Sequence, residues 1–177
     1  IILGSLAGLG ASVVIGVVNG IGVAFLKVAP FVMTLAMSSI VFGLALTLTG
    51  GTPIYGMPEE FANSIGYGNF LEIPIAVWIT GVSIAFMYIM MSWTPMGRYL
   101  YAIGGNVKAA ELSGINTRVY IFLAYVISSI MAGIAALMLT ARLESGESNI
   151  GSDYPLLSIA ACAIGGVSLL GGVGRLS

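Results

Sequence analysis

The sequence lacks histidine, has a single cysteine and carries few charges. The absence of histidine removes the commonest general base and metal ligand, so a histidine-dependent active site cannot be built from this chain alone. One cysteine, Cys162, excludes an intramolecular disulfide and a cysteine zinc cluster. The phosphate-binding loop Gly-x-x-x-x-Gly-Lys-Ser/Thr is absent, so the chain cannot bind ATP in that way. We therefore predict no catalytic centre, no metal site, no cofactor and no nucleic acid partner.

Charged residues make up only 7% of the sequence, whereas hydrophobic residues make up 58%. Soluble domains have about a quarter of their residues charged. The mean hydropathy of +1.06 points the same way. This composition predicts an all-α, polytopic integral membrane protein whose solvent is the lipid bilayer. The net charge of −1 identifies no partner, because the sign of the charge in each loop matters more than the sum.

Five hydrophobic segments follow one another, and a helix needs about 20 residues to cross a bilayer. They cover residues 1–26, 31–49, 75–93, 119–141 and 156–170. The last is short and leads into the glycine pairs Gly165-Gly166 and Gly171-Gly172. Glycine-broken apolar segments are tolerated at membrane depth only inside protein or beside a water-filled cavity, so we predict a broken or re-entrant helix there. Residues 1–177 are expected to form one transmembrane domain and, without an initiator Met, to be part of a longer protein.

Small residues recur at every fourth position of the first segment. The stripe consists of Gly4, Gly8, Ser12, Gly16 and Gly20. Such a pattern lets two helix backbones approach closely where lipid provides no hydrophobic drive to associate, so it predicts tight packing inside a bundle. Asn19 lies beside this stripe. We expect an interhelical hydrogen bond from it rather than a place along a path, because polar groups facing lipid are costly.

Residues 95–118 form the only long polar segment with a net positive charge. Asn106 can cap a short helix over residues 107–112, and Gly114 can adopt the left-handed turn that ends it. Ala109 and Ala110 would leave one face of this helix nearly flat, with Lys108 and Glu111 at its rim. A short helix of this kind between two membrane spans is shaped to be gripped by another protein, and we interpret it as a docking element.

The positions of the basic residues predict the orientation of the chain in the membrane. If residues 95–118 are cytoplasmic, five basic residues lie inside and only Arg142 lies outside, as the positive-inside rule favours. The five are Lys27, Arg98, Lys108, Arg118 and Arg175. The acidic segments 50–74 and 142–155 are then external loops. Their carboxylates are interpreted as a solvated face, because they lack the spacing of metal ligands.

Four stretches of the central segment carry a recognisable pattern: Gly97-Arg98-Tyr99, Tyr101 to Asn106, Ala109-Ala110 and Leu112 to Asn116. Together they resemble the cytoplasmic loop of the permease subunits of ribose-type ABC importers. The likeness continues in Asn19-Gly20, Thr49-Gly50-Gly51, Ala141-Arg142-Leu143, Ile159-Ala160-Ala161, Gly165-Gly166 and Gly171-Gly172. Pro155 and Cys162 depart from the pattern. The resemblance covers nearly the whole chain, which would be only part of a typical member.

The resemblance implies a pore-forming subunit of a bacterial plasma membrane importer for a ribose-like monosaccharide. Such a subunit pairs with a second permease, receives substrate from an external binding protein and responds to a separate cytoplasmic ATPase. The implied ATPase-coupling loop comprises Asn106, Lys108, Ala109, Ala110, Glu111, Leu112, Ser113, Gly114 and Ile115. The substrate-contacting residues are not identified by the motifs.

Two other functions stay open on the sequence alone. A passive channel or facilitator would be favoured by polar or charged rings within the spans, and these spans carry almost none. A structural membrane subunit is disfavoured only by the docking loop and its resemblance. An intramembrane enzyme would need ionisable groups within the bilayer, and the spans hold no histidine and no pair of aspartates.

Overall fold

A computed structural model describes residues 2–70 and 72–167, with the side chain of Glu59 excepted, and it is built almost entirely from helices. In chain order the helices are α1 (Ile2–Ala24), α2 (Pro30–Thr49), α3 (Glu59–Phe61), which continues as a π-helical turn (Ala62–Gly66), α4 (Ile75–Trp93), α5 (Pro95–Gly105), α6 (Val107–Leu112), α7 (Thr117–Leu143) and α8 (Tyr154–Ile164). Helices α1, α2, α4 and α7 are long and apolar enough to cross a membrane. The predicted all-α, polytopic membrane fold is confirmed.

Local sequence sets several of the helix ends. Pro30 begins α2 and Pro95 begins α5, where a fixed φ suits the helix and the missing N–H costs nothing. Helix α2 ends at Thr49, and the following Gly50 has a φ of 63°, which lets the N–H of Gly51 reach the carbonyl of Leu46 at 3.1 Å. Thr94 is extended between α4 and α5. The chain therefore leaves each membrane helix through a sharp, well-defined turn.

Helices α1 and α7 pack against each other in antiparallel directions along most of their length. The contacts pair Gly8 with Leu137, Ser12 with Gly133, Gly16 with Ser129, and Gly20 with Phe122. Each glycine leaves room for a side chain of the other helix, so the two backbones come close without the help of a hydrophobic drive. The aromatic rings of Phe25 and Phe122 close this interface at one end, 6.2 Å apart.

The two acidic loops, which are separate in sequence, form one structure that we call the cap: residues 50–74 and 142–153. Ile54 and Gly146 exchange backbone hydrogen bonds of 2.8 and 2.9 Å. The Tyr67 hydroxyl donates to the carbonyl of Arg142 at 2.9 Å. Phe61 and Ala62 are buried beneath these contacts. A small antiparallel hairpin of β1 (Asn69–Phe70) and β2 (Ile73–Pro74) leads from the cap into α4.

Helix α2 has no buried residue among the elements described. Its apolar residues lie on all sides, which is typical of a helix surrounded by lipid or other apolar helices. Helix α8 has 11 residues and ends at Gly165, short of the length of a span. The predicted break at Gly171-Gly172, like Arg175, lies outside the described residues.

Candidate docking surface at the elbow

Helices α5 and α6 meet nearly end to end and, with residues 113–116, form a bend between α4 and α7 that we call the elbow. Asn106 is extended, and its side-chain oxygen accepts the Ala109 N–H at 3.1 Å. Gly114 has a φ of 81°, the left-handed conformation expected after the helix. The predicted helix over residues 107–112 therefore has the predicted bounds and the predicted cap.

The predicted flat face of Ala109 and Ala110 is wrong, because the two side chains point in different directions. Ala110 is buried, with 4% of its surface exposed, whereas Ala109 is exposed. Adjacent residues of an α-helix lie about 100° apart, so a helix resting on its own protein turns one of them inward. The outward face consists instead of Lys108, Ala109 and Leu112. Leu112 is 90% exposed, the largest exposed fraction of any large apolar side chain described.

The other end of the predicted coupling segment faces the membrane helices. The carboxylate of Glu111 accepts a hydrogen bond from the Thr117 hydroxyl at 2.9 Å. Thr117 is the first residue of α7 and is buried. Glu111 is therefore bonded to the protein itself, and it is not the free rim residue that the sequence analysis predicted. Its position at the start of α7 also places a negative charge where the helix dipole favours one.

The remaining residues of the predicted coupling segment shape its turn. The Ser113 hydroxyl donates to the carbonyl of Ala109 at 2.9 Å. The Ile115 N–H reaches the carbonyl of Ala110 at 3.1 Å. Both bonds close the C-terminal end of α6, where the last carbonyls would otherwise lack donors.

Helix α5, which the sequence analysis left as loop, supplies a second link to α7. The rings of Tyr99 and Tyr120 meet edge to face, with centroids 4.9 Å apart. Ile103 of α5 is buried. Pro95 at the first helical position was the available signal for this helix. No signal in the sequence predicted the role of Thr117, because its partner Glu111 lies across a turn and not at helical spacing.

The two ends of the bundle carry opposite charge. The elbow end holds Arg98, Lys108 and Arg118, with Lys27 on the nearby α1–α2 turn and Glu111 as its acidic residue. The cap end holds Arg142 together with six acidic residues, Glu59, Glu60, Glu72, Glu144, Glu147 and Asp153. The fold thus collects loops that are far apart in sequence into one basic and one acidic end.

The predicted packing stripe of α1 contacts α7 over most of its length but not at its start. A Cβ added to Gly16 would lie 2.7 Å from the Cβ of Ser129, whereas nothing lies within 4 Å of one added to Gly4. The hydrogen bond expected from Asn19 is not formed through its oxygen. That atom is buried and has no partner in the described part of the chain.

An open groove of about 560 Å³ lies between α4 and α7, and Met96 and Leu100 of α5 also line it. Its lining has few polar residues, among them Thr80, Ser83 and Ser128. Six methionines also line it: Met87, Met90, Met91, Met96, Met131 and Met138. Methionine adapts its shape readily to irregular spaces, so this lining allows α4 and α7 to repack. Among residues 2–70 and 72–167, no three histidine, cysteine or acidic side chains converge as a metal site would require.

Comparisons with known proteins place the chain among membrane permease components. Residues 1–174 match the family described as branched-chain amino acid transport system / permease component. The ribose import permease protein of Haemophilus influenzae is 37% identical over 92% of this chain and 51% of its own length. The L-arabinose transport system permease protein of Escherichia coli is 37% identical over 90% of this chain and 48% of its own.

A third relative names a third sugar. The galactose/methyl galactoside import permease protein of Salmonella typhimurium is 35% identical over 92% of this chain and 50% of its own length. The chain therefore spans about half the length of the curated relatives it matches. No solved structure matches it significantly.

Proposed function

The chain belongs to the family of the branched-chain amino acid transport system / permease component, and from this premise we propose that it is the membrane-spanning permease part of an ABC importer. The observation that carries the proposal is the exposed face of α6, with Leu112, Ala109 and Lys108, at the basic end of the bundle. In this proposal a separate ATPase grips that face. ATP binding and hydrolysis then belong to the partner, since this chain has no phosphate-binding loop of its own.

The proposed substrate is a monosaccharide of the ribose type. Relatives named for ribose, arabinose and galactose import have similar identities to this chain, which supports the class of substrate rather than one sugar. Sugar contacts require a few polar groups in a largely apolar path. We leave these contacts unassigned, because the described spans present their serines and threonines mostly to their own backbone carbonyls.

The proposed surroundings follow from the charge at the two ends. The basic elbow is cytoplasmic, in a bacterial plasma membrane, and the acidic cap is external. An external binding protein delivers the sugar to the cap. A second permease subunit, identical or similar, completes the pathway. The chain spans about half of its relatives' length, so these partners are proposed for the full-length protein.

The orientation is tested by labelling single cysteines in the full-length protein with Cys162 replaced by alanine. Glu60→Cys on the cap is expected to react with a membrane-impermeant maleimide added to spheroplasts, because its position is exposed and external. Lys108→Cys on the elbow is expected to react only after the membrane is opened. The reverse pattern of labelling would overturn the proposed orientation.

Docking is tested by cysteine crosslinking to the ATPase encoded beside the gene. A cysteine at Ala109 is expected to crosslink to the ATPase, with a yield that changes on adding ATP, because this side chain faces outward from α6. A cysteine at Ala110 is the matched control, since its neighbouring position is buried. If Ala109→Cys is accessible from the cytoplasm but forms no crosslink, the importer assignment fails and a facilitator or structural subunit is favoured.

A further inference from the structure

We propose that Glu111 is a positioning residue whose hydrogen bond to Thr117 makes α6 and α7 move as one body. The inference rests on the proposed function, because it concerns how a displacement of α6 by a partner enters the membrane. It assigns this displacement to α7 and to α1, which is packed against α7.

The first step is the nature of the Glu111 bond. Most side-chain hydrogen bonds of the described residues end on a backbone atom three or four positions away, within the same helix. Glu111 and Thr117 instead join two side chains of different helices, with 2.9 Å between their oxygens. Besides placing a carboxylate at the N-terminus of α7, a bond of this kind connects two helices. It fixes the position of one helix relative to the other.

The second step is where the bond attaches. Thr117 is 4% exposed and begins α7, so its hydroxyl is held in one place by the surrounding packing. The backbone bond from Ile115 to Ala110 braces the same turn. A bond to an ionised group is stronger than one between neutral groups, which makes the carboxylate an effective anchor. The side chains of Glu111 and Thr117 therefore join α6 to α7, across a turn that the Ile115 bond closes onto α6.

The third step is what α7 carries with it. Along α7, Ser129 and Gly133 lie against Gly16 and Ser12 of α1 at distances that leave no space for an added carbon. Close-packed elements transmit a displacement rather than absorb it. Helix α4 faces α7 across an open, methionine-lined groove that Met96 and Leu100 of α5 also line. A push on α6 would move α7 and α1 together.

The experiment measures rigidity and transport in the full-length transporter, assembled with its ATPase in lipid nanodiscs. Spin labels at Val107→Cys, which is exposed on α6 outside the docking face, and at Ser128→Cys, in a Cys162→Ala background, report the distance between α6 and the middle of α7. We expect one narrow distance distribution in the parent protein. Glu111→Ala and Thr117→Val are each expected to broaden it, because each removes one partner of the bond.

Two conservative variants separate positioning from a general loss of stability. Glu111→Gln and Thr117→Ser keep an acceptor and a donor, and both are expected to retain the narrow distribution. Thr80→Val is the matched control for removing a hydroxyl, since the Thr80 hydroxyl bonds only within α4 at 2.8 Å. An unchanged distribution in Glu111→Ala and Thr117→Val would overturn the proposal, as would equal broadening in Glu111→Gln.

Transport and docking are then read separately. The sugar is the one that the parent protein transports, chosen from a panel of D-ribose, L-arabinose and D-galactose. In Glu111→Ala, we expect the amount of sugar taken up per ATP hydrolysed to fall about tenfold, within the usual range of coupling between sites. The crosslink from Ala109→Cys to the ATPase is expected to persist. A crosslink missing already in the parent would refute the proposed function, whereas a persisting crosslink with undiminished uptake per ATP would refute the role of Glu111.

Discussion

Replacing Gly16 by leucine is expected to separate α1 from α7 and to prevent the accumulation of folded protein. A Cβ at this position would lie 2.7 Å from the Cβ of Ser129 and 3.1 Å from the backbone carbonyl of Tyr125. Overpacking of this kind usually lowers the free energy of unfolding by about 1–3 kcal/mol, and by more when the backbone must move. This is a large part of the free energy of unfolding of a typical domain, which is about 5–15 kcal/mol.

The measurement is the fraction of full-length protein that stays monodisperse in detergent after heating. Gly4→Leu is the matched control, because it adds the same side chain to the same helix where nothing lies within 4 Å. A graded test uses Gly16→Ala, which should lower the melting temperature, together with Ser129→Gly, which should restore part of the loss. Equal melting temperatures for Gly4→Leu and Gly16→Leu would show that α1 and α7 do not pack in this register.

Replacing Leu112 by alanine is expected to weaken binding of the ATPase about tenfold or more, while the permease stays folded. Leu112 is 90% exposed in the chain alone, so its side chain contributes little to the fold. Burying a leucine in a partner's groove is worth about 1.5–3 kcal/mol, and about 1.4 kcal/mol corresponds to tenfold in affinity. Apolar anchors of this type often dominate an interface.

Affinity for the ATPase in nanodiscs and ATP-driven sugar uptake would both report this loss. Leu48→Ala is the matched control, since Leu48 is 84% exposed but lies at the opposite end, beside the cap. Both variants should keep the parent's melting temperature. If Leu112→Ala binds the ATPase as tightly as Leu48→Ala does, the outward face of α6 is not the docking surface.

Local sequence chemistry was sufficient to place the membrane helices and the short helix of the elbow. The four spans follow from uninterrupted apolar runs of sufficient length, with prolines or glycines at several of their ends. The bounds of α6 follow from Asn106 and Gly114, whose side-chain and backbone preferences act within three or four residues. Each of these features depends only on near neighbours in the chain.

Tertiary structure decided which faces of these helices are covered. A helix that is apolar on every side gives no sign of the face it buries, so the stripe from Gly4 to Gly20 did not reveal that Gly4 is free and Gly16 is packed. For the same reason, the alanine pair of α6 did not disclose that Ala110 points inward.

The sequence by itself thus determined that the protein is a helical membrane protein with a basic segment between two of its membrane helices, because hydrophobic length, capping residues and charge act locally. Only the tertiary structure joined Ile54 to Gly146 in the cap and Glu111 to Thr117 at the elbow. Those contacts depend on how separate helices cross, and a crossing is set by the packing of both partners at once.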